Sequence, residues 1–173
     1  MDCHDELNHF AEHFKDVDSA IREYFKQMLD GDFSNKPDLV GSRIEDINSL
    51  LTLRLLENDR SASLTILAAL ESWFRIDCRT RAEKRERSPV GRRFKKMYNR
   101  CGQSVSKIRF EDILDTWSDA EPTSKQIIRQ VKDAFNYRHW LAHGRYWVPK
   151  LGRKYDYSTV YVIANDAAIL LNK

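Results

Sequence analysis

Apolar positions recur every three or four residues over most of the chain, a repeat that predicts helices separated by short polar breaks. Between Asp5 and Leu29, the residues Phe10, Phe14, Val17, Ile21, Phe25 and Met28 fall on one face of such a helix. The stretch GDFSNKP (31–37) interrupts the repeat and predicts a loop. A second helical repeat over Ser42–Glu57 carries Ile44, Ile47, Leu50, Leu51, Leu55 and Leu56. A third is expected to start from an N-cap at Ser61 or Ser63 and to run to Glu86.

Ser88-Pro89 opens a shorter basic segment that closes near Cys101-Gly102, and Ile108–Trp117 predicts another short helix. The next helix is expected to follow Pro122-Thr123-Ser124 and to extend to His143, with Gly144 at its C-terminal cap. YWVPKLGRKYDY (146–157) reads as a turn-rich connection. Ser158–Leu171 fits either a last helix or a strand followed by a helix, because the run VYVI suits both. The fold class expected is all-α: an up-and-down bundle of about four main helices, with short additional helices and a small non-helical C-terminal segment.

Composition narrows the setting. A chain of 173 residues suits a single domain, 1–173, with one core. Hydrophobic content of 42% and charged content of 32% are those of a soluble globular protein. No apolar run approaches the roughly 20 residues of a membrane span, and MDCHDELNHF lacks the basic-then-apolar order of a secretory signal. Three cysteines (Cys3, Cys78, Cys101) without CxxC spacing argue against a disulfide framework. The expectation is a cytoplasmic protein without membrane contact. Its net charge of +3 is unevenly spread. Residues 1–60 carry fourteen acidic against seven basic side chains, whereas residues 79–100 carry ten basic against two acidic. Such a block, which includes Arg92, Arg93, Lys95 and Lys96, is a solvated face or a surface for phosphates.

The helix ending at Gly144 departs from plain patterning. At 100° per residue, Ile127, Ile128, Val131, Ala134, Phe135, Leu141 and Ala142 define a broad apolar face with Arg138 in its middle. Lys132, Asn136, His139 and His143 line a neighbouring polar stripe. A guanidinium among apolar neighbours is costly unless it meets an anion. Glu71 interrupts the stripe of Leu64, Leu67, Phe74 and Cys78 in the same way, one turn before Arg75. Glu71 and Arg138 are therefore expected to form an ion pair. His143 lies in the last helical turn, where the helix dipole favours a protonated imidazole, a group suited to moving protons.

Arg138, four intervening residues and His143 form an R-x4-H motif at the end of a late helix, and in this the chain resembles the HEPN superfamily. The polar His139 after the arginine, the following Gly144 and the upstream pair Glu71 and Arg75 add to the likeness, which spans residues 42–146. The resemblance implies a metal-independent endoribonuclease, without cofactor, of the kind found in toxin–antitoxin or antiphage defence settings. It implies Arg138 and His143 as catalytic residues and RNA as the partner. Cleavage would proceed through the ribose 2′-hydroxyl and leave 2′,3′-cyclic phosphate ends. It also implies a homodimer with a composite active site, held in check by an antitoxin or regulatory protein. His139, Glu71, Asn136 and Tyr146 would support the site, while Arg92, Arg93, Lys95 and Lys96 would guide the RNA backbone.

Two rival readings stand beside this one. His9-Phe10-Ala11-Glu12-His13 matches H-x-x-E-H, the pattern of inverzincin metallopeptidases, but no third ligand is identifiable and no metal site is expected. The second rival is a non-catalytic HEPN-like domain that binds nucleic acid or a partner protein.

Overall fold

The computed structural model describes residues 2–84, 86–145 and 147–172. Helix α1 (Cys3–Leu29) opens at Asp2, whose carboxylate accepts the His4 amide at 2.9 Å, and its first turn carries Asp5 and Glu6. A carboxylate at a helix N-terminus satisfies an otherwise orphaned amide and complements the dipole. The loop after Leu29 includes a short 3₁₀ turn at Pro37–Leu39. Helix α2 (Ile44–Glu83) then runs unbroken for 40 residues, about 60 Å at 1.5 Å per residue.

That continuity corrects the break expected between Glu57 and Ser61. Ser61 and Ser63 cap nothing: they lie inside α2, and Ser63 is buried. Asn58-Asp59-Arg60-Ser61 is polar but contains neither glycine nor proline, so nothing in its backbone chemistry ends a helix. Its side chains are matched by the rest of the fold. Asn58 donates to the Phe14 carbonyl (3.5 Å), Asp59 accepts the Tyr157 amide (3.0 Å), and the Arg60 guanidinium lies over the Trp140 ring (5.5 Å).

Helix α3 (Pro89–Arg100) starts at Ser88, whose hydroxyl accepts the Gly91 amide at 3.0 Å. Gly91 is required there, because a Cβ would sit 2.7 Å from the Glu86 carbonyl oxygen. A 3₁₀ turn at Val105–Lys107 leads to α4 (Phe110–Ala120), and another at Pro122–Ser124 leads to α5 (Lys125–Ala142). The last helix, α6 (Tyr157–Leu171), decides the open reading of VYVI in favour of helix. Asp156 caps it, accepting the Thr159 amide at 2.9 Å and the Thr159 hydroxyl at 2.7 Å. Among the described residues there is no strand.

The fold is thus an all-α bundle. Four long helices carry it (α1, α2, α5, α6), with α3 and α4 as short additions, so the expected number holds with different members. The two repeats expected at 42–57 and 61–86 are one helix, and α6 takes the vacated place. The main core gathers the C-terminal half of α2 with α3, α4, α5 and α6 around Phe74, Phe94, Ile113, Val131 and Val160. Leu7 and Phe10 bring the start of α1 onto it. Farther along the antiparallel α1–α2 pair, Phe25, Met28 and Ile47 form a second, smaller cluster. No helix among the described residues is long and apolar enough to cross a membrane.

Candidate active site

Helix α5 buries Ile128, Val131, Ala134, Tyr137 and Leu141. Ala142, expected on the apolar face, is exposed, and Tyr137, which the pattern reading missed, is 4% exposed. Arg138 sits at the margin of this buried stripe. Its Nη2 lies 3.3 Å from Glu71 Oε2 on α2, so the expected ion pair forms, with side-chain exposures of 35% for Arg138 and 23% for Glu71. The pair is therefore half-buried.

Glu71 serves two cations. Its Oε1 accepts hydrogen bonds from Arg75 Nε (2.9 Å) and Nη2 (2.8 Å). Arg75 also donates through Nη1 to the carbonyls of Val105 (3.3 Å) and Ile108 (3.0 Å), pinning the α3–α4 connection to α2. Both guanidiniums rest on rings, Arg138 over Phe135 at 5.6 Å and Arg75 over Phe110 at 5.7 Å, and those two rings meet at 4.5 Å. One carboxylate between two guanidiniums leaves one positive charge in the cluster. Arg138 Nε is buried and has no hydrogen-bond partner. An unmet donor of this kind stores cost that an incoming anion can relieve only if the side chain shifts.

His143 follows α5 as its C-terminal cap, and its amide donates to the His139 carbonyl at 3.1 Å. The two imidazoles are neighbours, with ring centroids 4.2 Å apart, and both residues are exposed. Gly144 (φ +84°) and Arg145 (φ +58°) both take the left-handed conformation that turns the chain away from the helix. For arginine that backbone is uncommon. Arg145 is held in place by Glu57 on α2, with Nη1 to Oε2 at 2.6 Å. This contact has no local sequence signal, since 88 residues separate its partners. Beyond the turn, Trp147 lies 6.2 Å from His139, and its carbonyl accepts the Trp140 indole N–H at 2.7 Å.

The structure therefore brings Arg138 to Glu71 and His139 to His143. Asn136 is exposed on the same helix. Tyr146 lies outside the described residues. The basic block is placed on α3, which packs on α2 and α4. There Arg92 donates to the Arg87 carbonyl (2.6 Å), Arg93 approaches Asp119 (3.6 Å), Lys95 is half-buried and Lys96 is exposed. His9 and His13 are exposed on α1, and among the described residues no three potential metal ligands gather.

The sequence reading also missed a cavity of about 870 Å³ between α1, α2, the end of α5 and the connection 149–156. Arg138, His139 and His143 do not line it; Tyr137, Trp140 and Tyr155 do. The only sequence signal was the glycine and lysine/arginine content of KLGRK, read as a turn. No protein-family model, curated protein or solved structure matches the chain.

Proposed function

We propose that this chain is a HEPN-like endoribonuclease that cleaves RNA through the ribose 2′-hydroxyl. The observation that carries the reading is the joint placement of a half-buried, ring-supported Arg138 and a pair of exposed, touching imidazoles at one helix end. Transesterification needs a base for the 2′-hydroxyl proton, an acid for the departing 5′-oxygen and a cation for the charge on the phosphorus centre. An imidazole of the His139–His143 pair takes the 2′ proton as that oxygen bonds to phosphorus. The bond to the 5′-oxygen then breaks, and a protonated imidazole supplies the leaving group's proton. The products are a 2′,3′-cyclic phosphate and a 5′-hydroxyl. Arg138 binds the non-bridging oxygens, a task that suits its planar fork of donors.

Geometry on one helix favours a two-chain site. Arg138 and His143 are five residues apart, about 140° round an ideal helix, so they do not share a face. Two copies crossing at the ends of α5 would set the arginine of one opposite the histidine of the other, as a two-fold axis allows. RNA is the partner in this reading, and an antitoxin or other regulatory protein in a toxin–antitoxin or defence setting is the restraint. The basic face of α3 would steer the RNA backbone from a distance rather than touch the reacting phosphate.

The test is cleavage of defined, end-labelled RNAs by wild type, Arg138→Ala and His143→Ala, with end-group analysis. Wild type is expected to leave cyclic phosphate ends, and each variant to lose about two or more orders of magnitude in rate. If all three proteins leave the RNA equally intact across several pH values, the nuclease reading fails. A non-catalytic HEPN-like domain that binds nucleic acid or a partner protein then takes its place.

A further inference from the structure

The cavity between α1, α2 and the 149–156 connection has the makings of a ligand site separate from the Arg138–His143 cluster. Its volume, about 870 Å³, falls within the range of small-ligand pockets. One wall is a stack of rings. Tyr137 lies between Trp140 (5.8 Å, 22° between planes) and Tyr155 (5.4 Å, 19°). Guanidiniums cover both ends of the stack, Arg60 over Trp140 at 5.5 Å and Arg153 over Tyr155 at 4.8 Å.

The rim is cationic and only partly neutralised. Arg22 is paired with Asp18 at 2.7 Å, and Arg60 shares Glu57 at 3.8 Å. Lys150, Arg153 and Lys154 line the cavity from an exposed turn in which Gly152 takes the left-handed conformation (φ +71°). Among the described residues none of these three has a carboxylate within ion-pair distance. Polar groups lie deeper. Asp59 is half-buried and spends one carboxylate oxygen on the Tyr157 amide. Tyr155 is 7% exposed, and its hydroxyl is buried without a hydrogen-bond partner. Burial pushes the Asp59 carboxyl above its ordinary range; the neighbouring Asp156 adds to the effect, and the Tyr157 amide, Lys154 and Arg60 oppose it. Guanidinium-capped rings, a polar floor and a partly neutralised cationic rim are together complementary to a heterocyclic base carrying a phosphate.

We propose that this cavity is a nucleotide subsite, in which a base stacks on the Arg60 guanidinium that covers Trp140, Asp59 and Tyr155 read its edge, and Lys150, Arg153 and Lys154 hold its phosphate. The occupant is one nucleotide of an RNA strand. That choice of source, though not the pocket itself, rests on the ribonuclease reading. Trp140 lies between Arg138 and His143 in the chain, so the same helix end that carries the reacting groups also forms the cavity wall. A strand leaving the cleavage site has only a helix width, about 10 Å, to cross. The subsite would then set which base flanks the cleaved bond.

The experiment is binding of fully 2′-O-methylated RNA hexamers (A, C, G and U series), which cannot be cleaved, by fluorescence anisotropy. Binding of AMP, CMP, GMP and UMP by calorimetry runs in parallel. Lys150→Glu with Arg153→Glu changes exposed side chains only, and its circular dichroism should match wild type. Hexamer affinity is expected to fall about tenfold or more in the double variant, because two phosphate contacts are reversed in sign. Asp59→Asn is expected to change the ranking of the four hexamers. Lys36→Glu, on the α1–α2 loop, should leave affinity within about twofold of wild type. Mononucleotide binding that the double variant abolishes, without hexamer binding, would uphold the pocket and overturn the RNA strand as its occupant. Absence of binding to either probe, or equal binding by wild type and the double variant, overturns the proposal. Because no probe is cleaved, hexamer binding with inert RNA in the cleavage assay would sink the nuclease reading and leave the subsite standing.

Discussion

Neutralising Glu71 probes the contact on which the arrangement of Arg138 depends. Glu71→Gln leaves the Arg75 and Arg138 guanidiniums facing an uncharged amide. At 3.3 Å, two unit charges attract by about 5 kcal/mol at an effective dielectric constant of about 20. Exposures of 23% for Glu71, 26% for Arg75 and 35% for Arg138 mean that solvent screens much of this. A net coupling of about 1 kcal/mol is expected for Glu71–Arg138. About 2 kcal/mol is expected for Glu71–Arg75, which has two short charge-assisted hydrogen bonds. Glu71→Gln should therefore destabilise the fold by about 2–3 kcal/mol, lowering the melting temperature by roughly 4–12 °C. Double-mutant cycles with Arg138→Met and Arg75→Met, read by urea unfolding followed with circular dichroism, separate the two pairs. Coupling between positions 71 and 138 below about 0.3 kcal/mol would refute the reasoning, since sites that do not interact are additive to that level.

Three further outcomes follow from the same structure. Ser61→Pro, at an exposed position inside continuous α2, should cost about 3 kcal/mol or more in urea unfolding, and a much smaller cost would mean that the helix is broken there. Asp156→Ala should cost about 1 kcal/mol at neutral pH by uncapping α6. The Thr159 amide and hydroxyl hold the Asp156 carboxyl below its ordinary range, so its contribution is present above the unfolded-state value and is lost as pH falls through the lower folded value. Stability curves of wild type and Asp156→Ala should therefore converge under acid conditions, and a gap independent of pH would contradict the cap. Cys78 is fully buried and its thiol is pushed up to about 12 by burial. Iodoacetamide at pH 8 should thus spare Cys78 in the folded protein while labelling Cys3 or Cys101, as peptide mass mapping will show.

The chain's own pattern determined its helical class, because a three-to-four repeat with few glycines and prolines admits little else. It also determined the ends set by local chemistry: Ser88-Pro89 opens α3, Gly144 closes α5, and each rests on neighbouring backbone groups. The Glu71–Arg138 pair was legible too, since a charge inside an apolar stripe requires a partner, and only a few such positions existed. Other features depended on residues far apart in the chain. The polar stretch 58–61 stays helical because Phe14, Trp140 and Tyr157 meet it from other helices. Glu71 holds two arginines rather than one, and Glu57 fixes the left-handed Arg145 after His143. The ring-walled cavity needed α1, α2, α5 and the 149–156 turn to converge. Periodicity reports which face of a helix is buried; only packing decides what that face meets, and so where charges and rings gather into sites.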